Sequence, residues 1–138
     1  MRHNPEIKPE ELVNEYYFRY LQCIQIPTGQ ERQSLESAGV QFISYIHYGV
    51  YLVALPRFFD LNKLETIHVR SIRPVEPAWK LAPSLREEPY GAWAVHGDLV
   101  DVDIQLYPTL QIRDGATRCR ELGIVVRAEG NQNGYLGV

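Results

Sequence analysis

The chain has 138 residues, of which 45% are hydrophobic and 22% are charged, and its formal net charge is -3. A chain of this composition is long enough to bury a core and is neither disordered nor fibrous. It carries neither a basic stripe nor a Lys/Arg-rich amphipathic helix, so we expect no nucleic-acid partner and no membrane insertion.

No run of the sequence approaches the length of a membrane-spanning apolar segment, and its first residues lack the apolar core and cleavage site of a signal peptide. We therefore expect either a cytoplasmic protein or one whose signal lies outside this sequence. Cys23 and Cys119 cannot form a disulfide framework, and neither belongs to a CxxC pair. Both are interpreted as small buried hydrophobic residues.

Residues 1–15 form a polar stretch with two prolines, which predicts a mobile arm. From residue 16 the patterns of apolar, turn and capping residues predict alternating strands and helices. They are, in chain order, a strand over 16–26, a helix over 28–39, two strands over 40–46 and 50–55, a helix over 58–67 and a strand over 68–75. Thr28 is a natural N-cap for the first helix, and Gly39 is a natural stop.

The order β-α-β-β-α-β over residues 16–76 predicts an α+β fold of the ferredoxin-like kind. Such a fold is a four-stranded antiparallel sheet with both helices on one face. Residues 77–98 follow as a connector rich in proline, for which we expect an extended strap anchored by Trp79 and Trp93.

Residues 99–138 predict a partial second copy of the same unit, with a strand, a helix and a hairpin in the order β-α-β-β. LESAGVQFISYIHYGVYLVA and CRELGIVVRAEGNQNGYLGV align without a gap, which matches Gly39 to Gly123, Tyr51 to Tyr135 and Leu52 to Leu136. The second copy stops before a second helix and a fourth strand, so we expect the natural polypeptide to continue beyond Val138. An unpaired edge left by this truncation offers a route to a homodimer.

The stretch AGVQFISYIHYGVYLVALP, with VRSIRPVEPAWKLAPSL after a short helix, resembles the N-terminal pro-regions of bacterial secreted subtilisin-like serine proteases, which carry tandem propeptide domains. The resemblance covers residues 16–85 well and 99–138 more loosely. It implies a non-catalytic folding assistant and temporary inhibitor whose sheet face rests on the catalytic domain of its own protease. It also implies a secreted or periplasmic parent protein. For this chain itself we expect neither a cofactor nor a metal.

Strand alternation independently predicts which side chains the first sheet turns away from its helices. The expected outer face is apolar and rich in tyrosine, and it comprises Phe18, Tyr20, Ile24, Ile43, Tyr45, Leu52 and Ala54. Such a patch predicts a partner-binding site, unless the arm, the connector or the second copy covers it. The matching face of the second copy is predicted to be solvated, with Asp101, Asp103, Gln105, Val125, Arg127 and Glu129 beside Leu136.

No catalytic constellation is predicted anywhere in the chain. The sequence His96-Gly97-Asp98 is similar to the His-Gly of subtilisin-like active sites, but no serine motif accompanies it, so a polar turn is the favoured interpretation. The four histidines lack metal-ligand spacing. Two alternatives stay open: a free-standing, cytoplasmic ferredoxin-like regulatory or protein-interaction domain, and a small enzyme that uses the open sheet face.

Overall fold

The computed structural model describes residues 6–86, 89–130 and 134–138. It divides into two compact units, Met1–Val75 and Glu76–Val138. His3 and most of the predicted turn at 131–134 lie outside the described residues.

The first unit combines one α-helix, short 3-10 helices and a four-stranded sheet. Its elements are a 3-10 helix at Pro9–Glu11, β1 (Tyr16–Cys23), α1 (Gly29–Ser37), β2 (Gln41–Tyr45), β3 (Val50–Pro56), a 3-10 helix at Leu61–Ile67 and β4 (Val69–Pro74). The strands lie in the order β2-β3-β1-β4, and each neighbouring pair is antiparallel. The predicted mixed fold with an antiparallel sheet is confirmed, whereas the predicted second α-helix is a 3-10 helix.

Local signals in the sequence set the limits of α1. The hydroxyl of Thr28 accepts a hydrogen bond from the Glu31 backbone N–H at 3.2 Å, and the Glu31 carboxylate accepts one from the Thr28 N–H at 3.0 Å. This capping box satisfies two N–H groups that the first helical turn cannot. Beyond the helix, Gly39 has a φ of +98°, so the chain turns into β2 at a residue that tolerates this conformation.

The core of the first unit lies between its sheet and its helices. Leu35 of α1 and Leu64 and Ile67 of the 3-10 helix Leu61–Ile67 are all buried in one cluster with inward side chains of β1 and β3. Both helices therefore cover the same face of the sheet.

A charged side chain, Arg19, lies within this core. It is 1% exposed and stands opposite Val53 in the β1–β3 register. Its Nη1 donates to Glu11 Oε1 at 3.0 Å and to the Phe18 carbonyl at 2.8 Å, and its guanidinium lies 4.9 Å from the centroid of the Tyr17 ring.

The Arg19–Glu11 pair attaches the N-terminal arm to the sheet. Ile7 and Leu12, on either side of Glu11 in the sequence, pack against the core. In place of the predicted free arm, residues 7–12 thus form part of the first unit. This role of Arg19 could not be predicted from the sequence, because a single arginine within a strand of aromatic residues is usually placed at the surface.

In its described residues, the second unit contains two small antiparallel sheets, one α-helix and three short 3-10 helices. Its elements are 3-10 helices at Pro77–Lys80, Pro83–Leu85 and Ala92–Ala94, then β5 (Val95–His96), β6 (Leu99–Val100), β7 (Asp103–Gln105), α2 (Ile112–Glu121), β8 (Ala128–Glu129) and β9 (Tyr135–Gly137). β5 pairs with β6, while the other three strands lie in the order β7-β9-β8. The first strand predicted for the second copy is thus divided between β6 and β7.

Two expectations for the second unit are wrong. Trp93 was expected to anchor the connector, but its side chain is 85% exposed. Leu136 was expected on a solvated face, but it is wholly buried with Ala116 and Cys119.

The reason for the burial of Leu136 is a one-residue difference between the two hairpins. In the second hairpin Leu136 pairs with Glu129, and in the first hairpin Tyr51 pairs with Tyr45. The sequence alignment matches Glu129 to Tyr45, but it matches Leu136 to Leu52. Leu136 thus occupies the place of Tyr51, not of Leu52, and a slip of one residue turns a side chain to the other face.

We predict that Glu11→Ala lowers the free energy of unfolding at pH 7 by about 2 kcal/mol or more, because it leaves the buried Arg19 charge without its carboxylate. Glu10→Ala is the matched control, since Glu10 is exposed, and it should change stability by less than about 0.5 kcal/mol. Urea denaturation of the three proteins measures both effects. Equal stability of Glu11→Ala and wild type would contradict the role of the pair.

The same pair predicts a pH dependence. Partial burial raises the pKa of Glu11, but the Lys8 backbone N–H and the Arg19 guanidinium outweigh it, so the pKa lies below its ordinary value of 4.5. A lowered folded-state pKa stabilises the fold above the unfolded-state value, and the effect is lost as the pH falls through the folded-state value. The stability difference between wild type and Glu11→Ala should therefore shrink below pH 4.5, and denaturation at pH 7 and pH 3 tests this.

Candidate protein-interaction surface

Four of the seven residues predicted for the outer sheet face form two cross-strand pairs. Phe18 stands opposite Ala54, and Tyr20 stands opposite Leu52. Their neighbours Leu21 and Val53 belong to the core cluster. Since successive side chains of a strand alternate between faces, these four lie on the face away from the helices.

That face is less open than expected. Phe18 and Ala54 are buried, and Tyr20, Ile43 and Leu52 are partly buried. Burial leaves Phe18 and Ala54 little surface for a partner, and their role in binding stays a prediction.

Tyr45 lies on the opposite face from the one predicted. The register of β2 and β3 shifts between Phe42 and Ser44, so Ile43 occupies a β-bulge and Tyr45 stands opposite Tyr51. The Tyr45 and Tyr51 rings make an edge contact with centroids 5.1 Å apart. A bulge inserts one unpaired residue, and this reverses the facing of every residue that follows it on the strand.

Exposed apolar side chains gather instead at one end of the first sheet. The backbone N–H of Cys23, the last residue of β1, donates to the Gly49 carbonyl at 2.8 Å, so the end of β1 adjoins the β2–β3 turn. We call the apolar residues at this end the hairpin-end patch: Ile24, Ile26, Tyr45, Ile46 and Tyr48. Each of them is exposed.

The turn that carries Tyr48 is tightly specified. Tyr48 has a φ of +50° and Gly49 a φ of +74°, which are conformations that non-glycine residues rarely adopt. Tyr48 is 84% exposed. Its ring lies against the ring of its neighbour His47, with the two centroids 4.8 Å apart. The Gly49 N–H also donates to the Tyr45 hydroxyl at 3.2 Å.

The titratable groups behind the hairpin-end patch are held in their neutral forms. Burial, and then the Glu31 charge, raise the pKa of the Cys23 thiol. Burial is also the main cause of the raised pKa of Tyr51, followed by Cys23 and Tyr45. A reactive cysteine needs the opposite environment, one that favours the thiolate, whereas Cys23 is buried in the core cluster.

A polar cluster in the second unit surrounds Asp101. His96 Nε2 lies 2.9 Å from Asp101 Oδ2, and Arg127 Nε lies 3.2 Å from Asp101 Oδ1. Gly97 and Asp98 form the turn between β5 and β6, so the predicted polar turn is confirmed. Asp101 thus has a structural partner at each carboxylate oxygen, His96 at Oδ2 and Arg127 at Oδ1. The side chain of His96 is mostly exposed.

The described residues contain no group of three or more His, Cys, Asp or Glu side chains that could hold a metal ion. Within the same parts of the chain, no helix is both long and apolar enough to cross a membrane.

The fold places the chain in the class of proteins that combine helices with antiparallel sheets. Within that class, the chain belongs to the DUF8729 family, described as a domain of unknown function, whose model matches residues 3–76. No curated protein and no solved structure matches the chain. The family description names no activity, so the resemblance to protease pro-regions stays a prediction.

The prediction from sequence included Ile24 and Tyr45 but missed the other members of the hairpin-end patch. A usable signal was present in IQIP, where two isoleucines alternate with glutamine directly before Pro27. Proline has no N–H to donate, so the hydrogen-bond ladder of a strand cannot extend through it. The apolar side chains just before Pro27 are therefore left beside the β2–β3 turn.

We predict that Gly49→Ala destabilises the first unit by more than the roughly 1 kcal/mol expected for a positive φ alone. A Cβ at Gly49 would lie 2.5 Å from the Cys23 carbonyl oxygen, whereas a Cβ at Gly97, which has a φ of +63°, would meet nothing within 4 Å. Gly97→Ala is therefore the control that carries the backbone strain without the clash. Thermal unfolding of both variants measures the difference, and equal losses would contradict the tight approach of β1 to the turn.

Proposed function

We propose that this chain is a non-catalytic protein-binding module of the protease pro-region kind. In this proposal it assists the folding of a subtilisin-like catalytic domain and temporarily inhibits it. The parent protein is then secreted or periplasmic, and its catalytic residues lie in that other domain.

We propose further that the first unit is ferredoxin-like. Its strand order β2-β3-β1-β4, its antiparallel pairing and the two helices that share one core support this assignment. One feature departs from the usual plan, because the second crossover is the 3-10 helix at Leu61–Ile67. The first unit also carries the stretch AGVQFISYIHYGVYLVALP, one of the motifs on which the resemblance to pro-regions depends.

The hairpin-end patch is the observation that carries the binding proposal. Apolar side chains that gather at one place on a small domain favour a partner interface, because leaving them in water is unfavourable. Tyr48 adds a second argument, since a non-glycine residue held at positive φ costs on the order of 1 kcal/mol and such strain concentrates at functional sites. Tyrosine is also among the residues that most often dominate binding energy at interfaces.

The partner surface in this proposal differs from the one expected from sequence. With Phe18 and Ala54 buried, contact falls on the end of the sheet and not on the centre of its outer face. Tyr20, Ile43 and Leu52, which are partly buried, border this surface and do not form its centre.

A second candidate is a free-standing protein-interaction domain without a protease partner. The family match favours it, because residues 3–76 coincide closely with the first unit. A domain whose family boundaries follow one compact unit can occur in proteins of several kinds.

Inhibition of a bacterial subtilisin tests the proposal, with trypsin as a serine protease of unrelated fold. We predict that the full chain slows subtilisin hydrolysis of a peptide substrate and leaves trypsin unaffected. Tyr48→Asp and Ile24→Asp should each weaken inhibition about tenfold, as expected for the loss of a buried interface anchor. Val125→Asp is the matched control for Ile24→Asp, since the two residues are 72% and 70% exposed.

Inhibition that is unchanged in both patch variants would contradict the role of the hairpin-end patch. Inhibition of neither protease, or of both equally, would contradict the pro-region proposal and favour the free-standing domain.

A further inference from the structure

We propose that the outer edge of β7 in the second unit is a docking site for an extended basic strand of a partner polypeptide. The inference rests on a comparison of β7 with β1 and is independent of the protease proposal.

The backbone hydrogen bonds fix which residues face the edge. The Val102 and Val138 N–H groups each donate to the other's carbonyl at 2.9 Å, and the Leu106 N–H donates to the Gly134 carbonyl at 2.8 Å. In an antiparallel pair the bonding direction alternates along the strand. The N–H and C=O groups of Asp103 and Gln105 therefore point away from β9.

Within the described parts of the chain, no strand pairs with this edge. The open edge does not extend to Asp101, because the Asp101 N–H already donates to the Ala94 carbonyl at 2.8 Å. The side chains of Asp103 and Gln105 are exposed.

The equivalent edge in the first unit is occupied. Ile104 stands opposite Leu136 as Leu21 stands opposite Tyr51, so Asp103 takes the place of Tyr20 and Gln105 that of Gln22. On the β1 edge, β4 places Arg73 opposite Tyr20, Ile72 opposite Leu21 and Ser71 opposite Gln22. A strand on β7 would thus place its own residues opposite Asp103, Ile104 and Gln105.

The cores of the two units differ in how deeply they are buried, as expected if a strand covers the outer edge of β1 but not that of β7. With β4 in place, Leu21 and Cys23 are buried, whereas the corresponding Ile104 and Leu106 are only partly buried. An apolar residue opposite Ile104, as Ile72 is opposite Leu21, would cover it. The second core thus offers apolar surface along the same edge that offers backbone hydrogen bonds.

Charge identifies the occupant as basic. Among the described residues, no basic side chain lies within ion-pair distance of Asp103, and opposite charges directly across a strand pair are favourable. A second copy of β7 would instead bring another Asp103 close to the first. The favoured ligand is therefore a strand that alternates apolar and basic residues, a form of recognition known as β-augmentation.

The residues 68–75, HVRSIRPV, supply a probe of this chemistry as a synthetic peptide. We predict that it shifts the Asp103 and Gln105 amide resonances of the 15N-labelled full chain. Asp103→Lys should weaken the binding about fivefold by placing like charges opposite each other, and a peptide with Arg73→Glu should restore binding to that variant. Gln105→Pro should abolish binding, since it removes an N–H that β9 does not use and proline is tolerated on edge strands.

Three outcomes would overturn the proposal. An absence of shifts would mean that the short length and charge of β7 only protect the edge from pairing. Binding that is unchanged in both Asp103→Lys and Gln105→Pro would place the peptide elsewhere, such as on β1. Concentration-dependent shifts of the same amides without peptide, together with a dimer in sedimentation, would identify the occupant as a second copy.

Discussion

The first unit depends on the pairing of β1 along both of its edges. β3 and β4 flank this strand, so its alternate residues bond to one neighbour and then the other, and its side chains divide between the helix-covered face and the opposite face. Leu21 and Cys23 complete the core on one face, while Phe18 and Tyr20 lie on the other. The end of β1 also positions the turn that displays Tyr48, so the strand that organises the core places the candidate binding surface as well.

The central strand carries an unusual requirement, because it brings the charge of Arg19 into the core. Arginine keeps its charge at any ordinary pH, and removing that charge from water is costly unless partners replace the lost solvation. Glu11 supplies the opposite charge, and among the described residues the Arg19 Nε still has no hydrogen-bond partner. The arm is therefore part of the folded unit, which agrees with a family match that begins upstream of β1, at residue 3.

Sequence patterns predicted the elements more reliably than the details that decide exposure. Capping at Thr28, the turn at 47–49 and the burial of both cysteines could be predicted because local residue chemistry determines them. The position of Tyr45 and the burial of Leu136 could not, because each depends on a one-residue difference in register that periodicity does not reveal. The Arg19–Glu11 pair could not be predicted either, because it joins a residue of the arm to a residue of β1 whose sequence patterns differ. The candidate site was predicted in kind, as an apolar tyrosine-bearing surface of the first unit, but not in place.

Both units follow one strand–helix–hairpin plan, whose first strand is paired on two edges in β1 and, among the described residues, on one edge in β7. Native-state hydrogen exchange of the full chain distinguishes the two kinds of strand, because edge amides without a partner exchange quickly. In β1 we expect the Tyr20 and Gln22 amides to be strongly protected from exchange. In β7 we expect the Ile104 and Leu106 amides to be protected, whereas those of Asp103 and Gln105 exchange close to the rate of an unfolded chain. Protection of Asp103 and Gln105 equal to that of Ile104, or rapid exchange at Tyr20 and Gln22, would contradict the account.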